Sequence, residues 1–191
     1  MADALDRDRA QLFALLGRLL TAAPDASLLH RLSNLPGDAS PVGRALAALA
    51  EAARATTPDA AEREYFELFL GVGRGELLPY ASFYLTGFLH ERPLAALRAE
   101  LRRLGLARAP GVPEPEDHIG LLCETMAGLL DGTLPGGAAA AAGLFAAHLR
   151  PWAGRFFADL EAAAAARFYR AVGGLGRLVI EIEQAAADLA G

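Results

Sequence analysis

The sequence predicts an all-α fold: a single compact domain over 1–191 with about eight to ten helices. Three observations carry this expectation. The 191 residues include 43 Ala and 34 Leu but only 14 Val, Ile and Thr together; Ala and Leu lose least on entering a helix, whereas strands favour β-branched side chains. Apolar residues recur at helical spacing, with Ser, Thr, Asp, Pro and Gly where helices would start and stop. At 53% apolar content, a chain of this length can fill one core, which argues against disorder.

The elements follow in order. Leu5, Leu12, Leu15, Leu16, Leu19 and Leu20 mark a first amphipathic helix that Pro24 ends. Its apolar run, followed by Thr21-Ala22-Ala23, mimics a secretory leader, but Asp3, Asp6 and Asp8 put the wrong charge before it and Arg18 interrupts it. Asp25 is the cap of a short second helix to about Asn34. Ser40-Pro41 and Thr57-Pro58 each set a capping hydroxyl before a proline at the first helical position, predicting helices over 41–55 and 58–70. Gly71, Gly73, Gly75 and Pro79 then break the pattern, leaving an apolar loop over 71–82 of the kind that packs against or binds something. Pro93 opens a helix that Gly105 stops, 107–114 forms a Pro- and Gly-bearing linker, and Pro115 starts a helix to about Asp131. After a break over 132–137, one helix runs to Leu149, another from Pro151 through Ala166, and the last from about Phe168 to Leu189. The alanine tracts at 138–142 and 162–166 read as helix, and Gly173, Gly174 and Gly176 as sites of close helix packing.

Charge narrows the function classes. All 18 basic residues are Arg, against 23 acidic ones, for a net charge of −5; nucleic-acid binders neutralise phosphates with a positive excess, so that class is disfavoured. Lone Cys123 cannot form an intramolecular disulfide, which points to a reducing compartment. No apolar run reaches the roughly 18 residues of a membrane span, and a cytoplasmic location is expected. Between Ala109 and Leu149 there is no Arg, while Glu114, Glu116, Asp117, Glu124 and Asp131 carry the equivalent of the entire net charge. Such a stretch suits a cationic, partly apolar partner; equally, acids in a first turn stabilise a helix N-terminus.

Motifs for catalysis and cofactors are sparse. Gly71-Val72-Gly73-Arg74-Gly75 approaches a phosphate-binding turn, but Glu76 stands where the dinucleotide fingerprint needs its third glycine, and no strand precedes it. His30, His90, His118 and His148 are scattered with no Cys pair, so no metal site is predicted. Asp117-His118 is an acid beside an imidazole, the arrangement of a general-base pair in a small-molecule enzyme; no Ser or Cys nucleophile has a local signature, and a helix N-terminus explains the pair as well. Tyr65, Leu68 and Phe69 lie at i, i+3 and i+4, one helical face that forms either core or groove.

Tyr65-Phe66-Glu67-Leu68-Phe69-Leu70-Gly71-Val72-Gly73, then Leu78-Pro79-Tyr80-Ala81-Ser82-Phe83-Tyr84, then Glu116-Asp117-His118-Ile119 with Glu124 and Met126 form an ordered set. His148-Leu149-Arg150-Pro151-Trp152 and Phe168-Tyr169-Arg170 extend it. Together these resemble the TorD/DmsD/NarJ family of redox-enzyme maturation chaperones. The resemblance implies an all-helical cytoplasmic protein that is not an enzyme, works without a cofactor, and binds the twin-arginine leader and body of a molybdopterin oxidoreductase subunit before export. It places leader binding on Tyr65, Leu68, Phe69, Pro79, Tyr80, Asp117 and His118, with Glu116 or Glu124 assisting Asp117. Carboxylates beside an apolar groove suit paired arginines followed by an apolar segment. A formate dehydrogenase is one client it suggests, a dimethyl sulfoxide or trimethylamine N-oxide reductase another. GTP at the glycine loop is an accessory expectation, and the oligomeric state is monomer or domain-swapped dimer. Val72 and Leu78 depart from the prolines common at those positions in the family.

Overall fold

The computed structural model describes residues 4–107, 111 and 113–190. Among them are ten α-helices and no strand: α1 (Ala4–Thr21), α2 (Ala26–Ser33), α3 (Pro41–Arg54), α4 (Pro58–Tyr65), α5 (Ala81–Thr86), α6 (Arg92–Arg103), α7 (Ile119–Asp131), α8 (Gly137–Leu144), α9 (Ala153–Ala162) and α10 (Phe168–Ala190). The all-α expectation and the helix number hold. Three expected caps are in place, each side chain accepting a backbone N–H in the first turn: Asp25 from Leu28, Ser40 from Gly43 and Thr57 from Ala60.

The chain divides into two compact units. One comprises Met1–Thr21, Pro79–Ala153 and Glu183–Gly191, the other Ala22–Leu78 and Gly154–Ile182. In the first unit α7 is the central helix, with Ile119, Leu122, Cys123, Met126, Leu129 and Leu130 all buried. It lies close against α1: a Cβ at Gly17 would stand 3.1 Å from the Gly120 carbonyl oxygen, so a larger residue would force the two helices apart. The C-terminal part of α10 is held to α1 by Arg9, whose Nε and Nη2 donate to the buried Glu183 carboxylate at 2.7 and 2.6 Å. In the second unit Leu68, Phe157, Leu160, Tyr169 and Leu175 are fully enclosed. The glycines of α10 admit α9 here, since a Cβ at Gly173 would lie 2.7 Å from the Glu161 amide nitrogen.

Several boundaries differ from the sequence expectation, each for a tertiary reason. The helix over 58–70 changes pitch at Phe66: Phe66–Leu70 is a π-helical turn closed by Gly71 N–H donating to the Phe66 carbonyl at 2.6 Å. The same device ends α8, where Phe145–Leu149 is π-helical. The loop expected over 71–82 stops at Tyr80, because Ala81 and Ser82 already belong to α5. The helix expected from Pro115 begins at Ile119, since Asp117 and His118 are drawn into extended pairing with Pro79–Ala81. The helix expected from Pro151 through Ala166 runs only from Ala153 to Ala162. Beyond it, the Glu76 carboxylate accepts the Ala164 and Ala165 N–H groups at 2.7 and 3.0 Å and so fixes a turn. Of the 107–114 linker, residues 108–110 and 112 lie outside the described residues.

Candidate functional site

Within the first unit, two short extended segments build a pocket. Tyr80 and His118 form an isolated antiparallel bridge. Beside it Ala81 N–H donates to the Asp117 carbonyl at 3.0 Å, and Ile119 N–H to the Pro79 carbonyl at 2.8 Å. Residues distant in sequence thus start two helices together. The Asp117 side chain, 1% exposed, serves α5: its Oδ2 accepts the Ser82 N–H at 2.9 Å and the Ser82 hydroxyl at 2.6 Å. The His118 side chain serves α7: its Nδ1 accepts the Gly120 N–H at 3.1 Å, which requires the neutral ring. Burial holds the His118 pKa down at about 4, outweighing the neighbouring Glu114 and Asp117 carboxylates that push it up.

The open side of this junction is a cavity of about 210 Å³ lined by Tyr80, Leu89, His90, Pro113, Pro115 and Asp117. The Tyr80 ring meets the His118 imidazole edge-on at 5.3 Å, and its hydroxyl donates to Glu114. Glu116 accepts from Arg98 Nε and Nη2 at 2.9 and 2.8 Å. Next to the cavity, Gly87 ends α5 in the left-handed conformation, and Phe88 follows at 71% exposure, with Leu85 and Leu89 also exposed. His90, with φ of +61°, is the one described non-glycine residue in the left-handed region; such strain is held in place where surrounding structure requires it, commonly at functional sites.

The structure therefore brings Pro79, Tyr80, Asp117 and His118 together, with Glu116 alongside and engaged by Arg98. Glu124 is exposed on α7, where it accepts from the Thr21 hydroxyl at 3.3 Å. Tyr65, Leu68 and Phe69 belong to the second unit, and their face is packed inward there. Leu68 is fully buried, and Tyr65 and Phe69 stack edge-on or tilted with Tyr169 at 5.9 and 5.5 Å. The opposite face of the same turns presents Phe66 and Leu70 to solvent. Sequence reading did not single out Glu114, Phe88, Leu89 or His90 as site residues. One signal was available for Phe88 and Leu89: two apolar residues directly after the Gly87 helix stop, with no helical periodicity to place them in the core.

The glycine loop of the second unit is built for close backbone approach. Gly71 takes φ of +62°, and a Cβ at Gly75 would fall 2.6 Å from the Leu68 carbonyl oxygen. The chain leaves the loop by donating from Glu76 and Leu77 N–H to the Glu67 and Leu68 carbonyls at 3.0 and 2.8 Å.

A sequence model of the family "Nitrate reductase delta subunit" matches residues 35–158. The chaperone protein TorD of Aliivibrio fischeri is 32% identical over 69 residues, 35% of this chain. The chain spans about a third of the length of that curated relative, 32%. A crystal structure from Archaeoglobus fulgidus, described as a candidate redox enzyme maturation protein, superposes with a TM-score of 0.63 at 20% identity, covering 91% of this chain and 93% of that one. At that identity the likeness establishes a shared fold.

Proposed function

Because the chain belongs to the nitrate reductase delta subunit family, we propose that it is a redox-enzyme maturation chaperone that binds the twin-arginine leader of a molybdopterin oxidoreductase subunit. It would act in the cytoplasm, holding the client from export while cofactor is inserted. One observation carries the leader-binding reading. Tyr80, which lines a cavity bordered by exposed Leu89 with Phe88 beside it, donates its hydroxyl to the part-buried Glu114 carboxylate, and the buried Asp117 forms part of the same lining. Carboxylates next to exposed apolar side chains match a ligand in which two guanidiniums precede an apolar run. Of the acids, Glu114 is the better candidate for an incoming arginine: Asp117 is committed to Ser82 and Glu116 to Arg98. Tyr65, Leu68 and Phe69 then act through the fold of the second unit, and Pro79 and His118 by shaping the cavity. Glu124 would offer a further exposed carboxylate.

The test is calorimetry with synthetic twin-arginine leaders of a formate dehydrogenase and of a dimethyl sulfoxide or trimethylamine N-oxide reductase, which would also identify the class of client. The client's leader should bind with a dissociation constant on the order of micromolar, and a version with both arginines replaced by alanine should not. Glu114→Gln should weaken binding about tenfold, the equivalent of losing about 1.4 kcal/mol of charge-assisted contact. Equal affinity of that leader and its alanine version, or of wild type and Glu114→Gln, would defeat this reading.

A further inference from the structure

In the second unit, α3 and α10 enclose a trough of about 510 Å³ that shares no lining residue with the Tyr80 cavity. Its floor is apolar and low, formed by Ala45 and Ala48 of α3 and by Ala171 and Leu178 of α10, over the fully buried Leu175. Along α10 the lining residues include positions 170, 171, 174, 178 and 181, one stripe over about three turns, with Arg167 just before the helix. At 1.5 Å per residue, 170–181 runs roughly 17 Å, the length of a helix of about 11 residues.

Charge on the rim is uneven. Arg177 is neutralised by Glu161 and Glu181 at 3.0 and 2.7 Å. Among the described residues, the Arg167 and Arg170 guanidiniums have no hydrogen bond or ion pair, and Arg44 donates only to the Ala39 carbonyl. In a chain of net charge −5, carboxylates are plentiful, yet the Arg167 and Arg170 guanidiniums beside this apolar trough are left without one, while Arg44 is within electrostatic reach of Asp38.

We propose that this trough is a docking groove for an acidic amphipathic helix of a partner protein, its apolar face on Ala45, Ala48, Ala171 and Leu178 and its Asp or Glu side chains on Arg167 and Arg170, with Arg44 at the other wall. Low side chains in the floor let a helix approach closely, the helix-in-groove mode of recognition. The guanidinium forks suit carboxylates in paired, directional hydrogen bonds. This surface and its occupant are independent of leader binding, and the experiment contains no leader.

Fluorescence anisotropy with the full chain tests it, using a labelled helical peptide of about 16 residues with Leu on one face and Glu along both flanks. Two control peptides replace every Glu by Lys or every Leu by Ser. The acidic peptide should bind at micromolar concentration and weaken at least about fivefold between roughly 50 and 300 mM salt. Both controls should bind at least about 30-fold more weakly, a difference of about 2 kcal/mol. The double variant Arg44→Glu/Arg170→Glu should lose the acidic peptide and gain the Lys peptide, and this exchange of preference cannot come from misfolding. Ala48→Phe, an exposed position in the floor, should weaken the acidic peptide by obstruction with the circular dichroism spectrum unchanged. Failure of the acidic peptide to saturate at millimolar concentration, or affinities unmoved by the charge reversal, would overturn the proposal. So would equal binding of the Leu-to-Ser peptide with displacement by inorganic phosphate, which would mark a simple anion site.

Discussion

Asp117→Asn probes the junction between the two extended segments. Asp117 and Ser82 are both essentially inaccessible, and one carboxylate oxygen accepts both donors of Ser82. Tyr80, the residue preceding α5, contributes no side-chain cap, so Asp117 takes over that role from 35 positions away. Asparagine can place its carbonyl oxygen where Oδ2 stands, so both bonds survive without their charge. A bond to a charged group contributes about 1.5–3 kcal/mol against about 1 for a neutral one, which puts the loss for the pair on the order of 1–4 kcal/mol. Asp117→Ala strands two buried donors at about 1–3 kcal/mol each and opens a small cavity, a loss on the order of 3–5 kcal/mol. Urea unfolding at pH 7, followed by far-ultraviolet circular dichroism, should therefore rank wild type above Asp117→Asn and that above Asp117→Ala, at unchanged m-value. In a Ser82→Ala background the asparagine substitution should matter less, because only the backbone N–H then remains to be satisfied. The reasoning fails if Asp117→Asn stays within about 0.5 kcal/mol of wild type, the range of ordinary surface substitutions, or if alanine is tolerated as well as asparagine.

Three further outcomes follow from the same structure. His118 is held neutral with its pKa near 4 against an ordinary 6.5, so stability is full above pH 6.5. It falls as acid protonates the unfolded chain first, by about 1.4 kcal/mol per pH unit and on the order of 3 kcal/mol by pH 4; denaturant titrations between pH 7.5 and 4.5 should show this slope reduced in His118→Asn. Buried Glu64 accepts the N–H groups of Arg167, Phe168 and Tyr169 at 2.8, 3.1 and 2.7 Å, the opening of α10. Glu64→Gln turns an amide donor toward one side of that cluster and should cost on the order of 2–4 kcal/mol, with amide exchange at 167–169 accelerated selectively. Cys123 is wholly buried and burial pushes its thiol pKa up, so a disulfide reagent at pH 8 should label it only as fast as the protein unfolds, and rapid labelling in native buffer would contradict this burial.

Local chemistry made much of the fold readable. Asp25, Ser40 and Thr57 announce helices because each can satisfy an amide two or three residues on, and proline at 41 and 58 only reinforces the start. What escaped reading is set by residues far apart in sequence. The tract over 162–166 consists wholly of the best helix former, yet beyond Ala162 it leaves the helix, where Glu76 captures the Ala164 and Ala165 amides. Pro115 suits a first helical turn, but pairing with Pro79–Ala81 postpones α7 to Ile119, where an imidazole nitrogen, an uncommon cap, replaces the usual hydroxyl or carboxylate. Tyr65, Leu68 and Phe69 had two readings on spacing alone. Tyr169, about a hundred positions later, is what fills the space against them.

Some residues here define the site and others are free to recognise a ligand. Asp117 and His118 stand out in the sequence because an acid beside an imidazole suggests chemistry or charge recognition. In the folded chain their polar atoms are committed to the first turns of α5 and α7, and they fix how Tyr80 and Glu114 are presented. Selection for such a junction would preserve Asp117-His118 whatever the ligand, so that dipeptide carries little information about which leader is bound. Discrimination between clients would fall instead on exposed Phe88, Leu89 and His90 around the cavity and on the part-buried Glu114 carboxylate held by Tyr80. Exchanging Phe88 and Leu89 for serine should therefore lower affinity for an apolar leader while the unfolding transition stays where it is, whereas Asp117→Asn moves the transition itself. If instead the Phe88/Leu89 exchange leaves leader affinity unchanged, the apolar half of the ligand must lie on another surface and the cavity would serve the arginines alone.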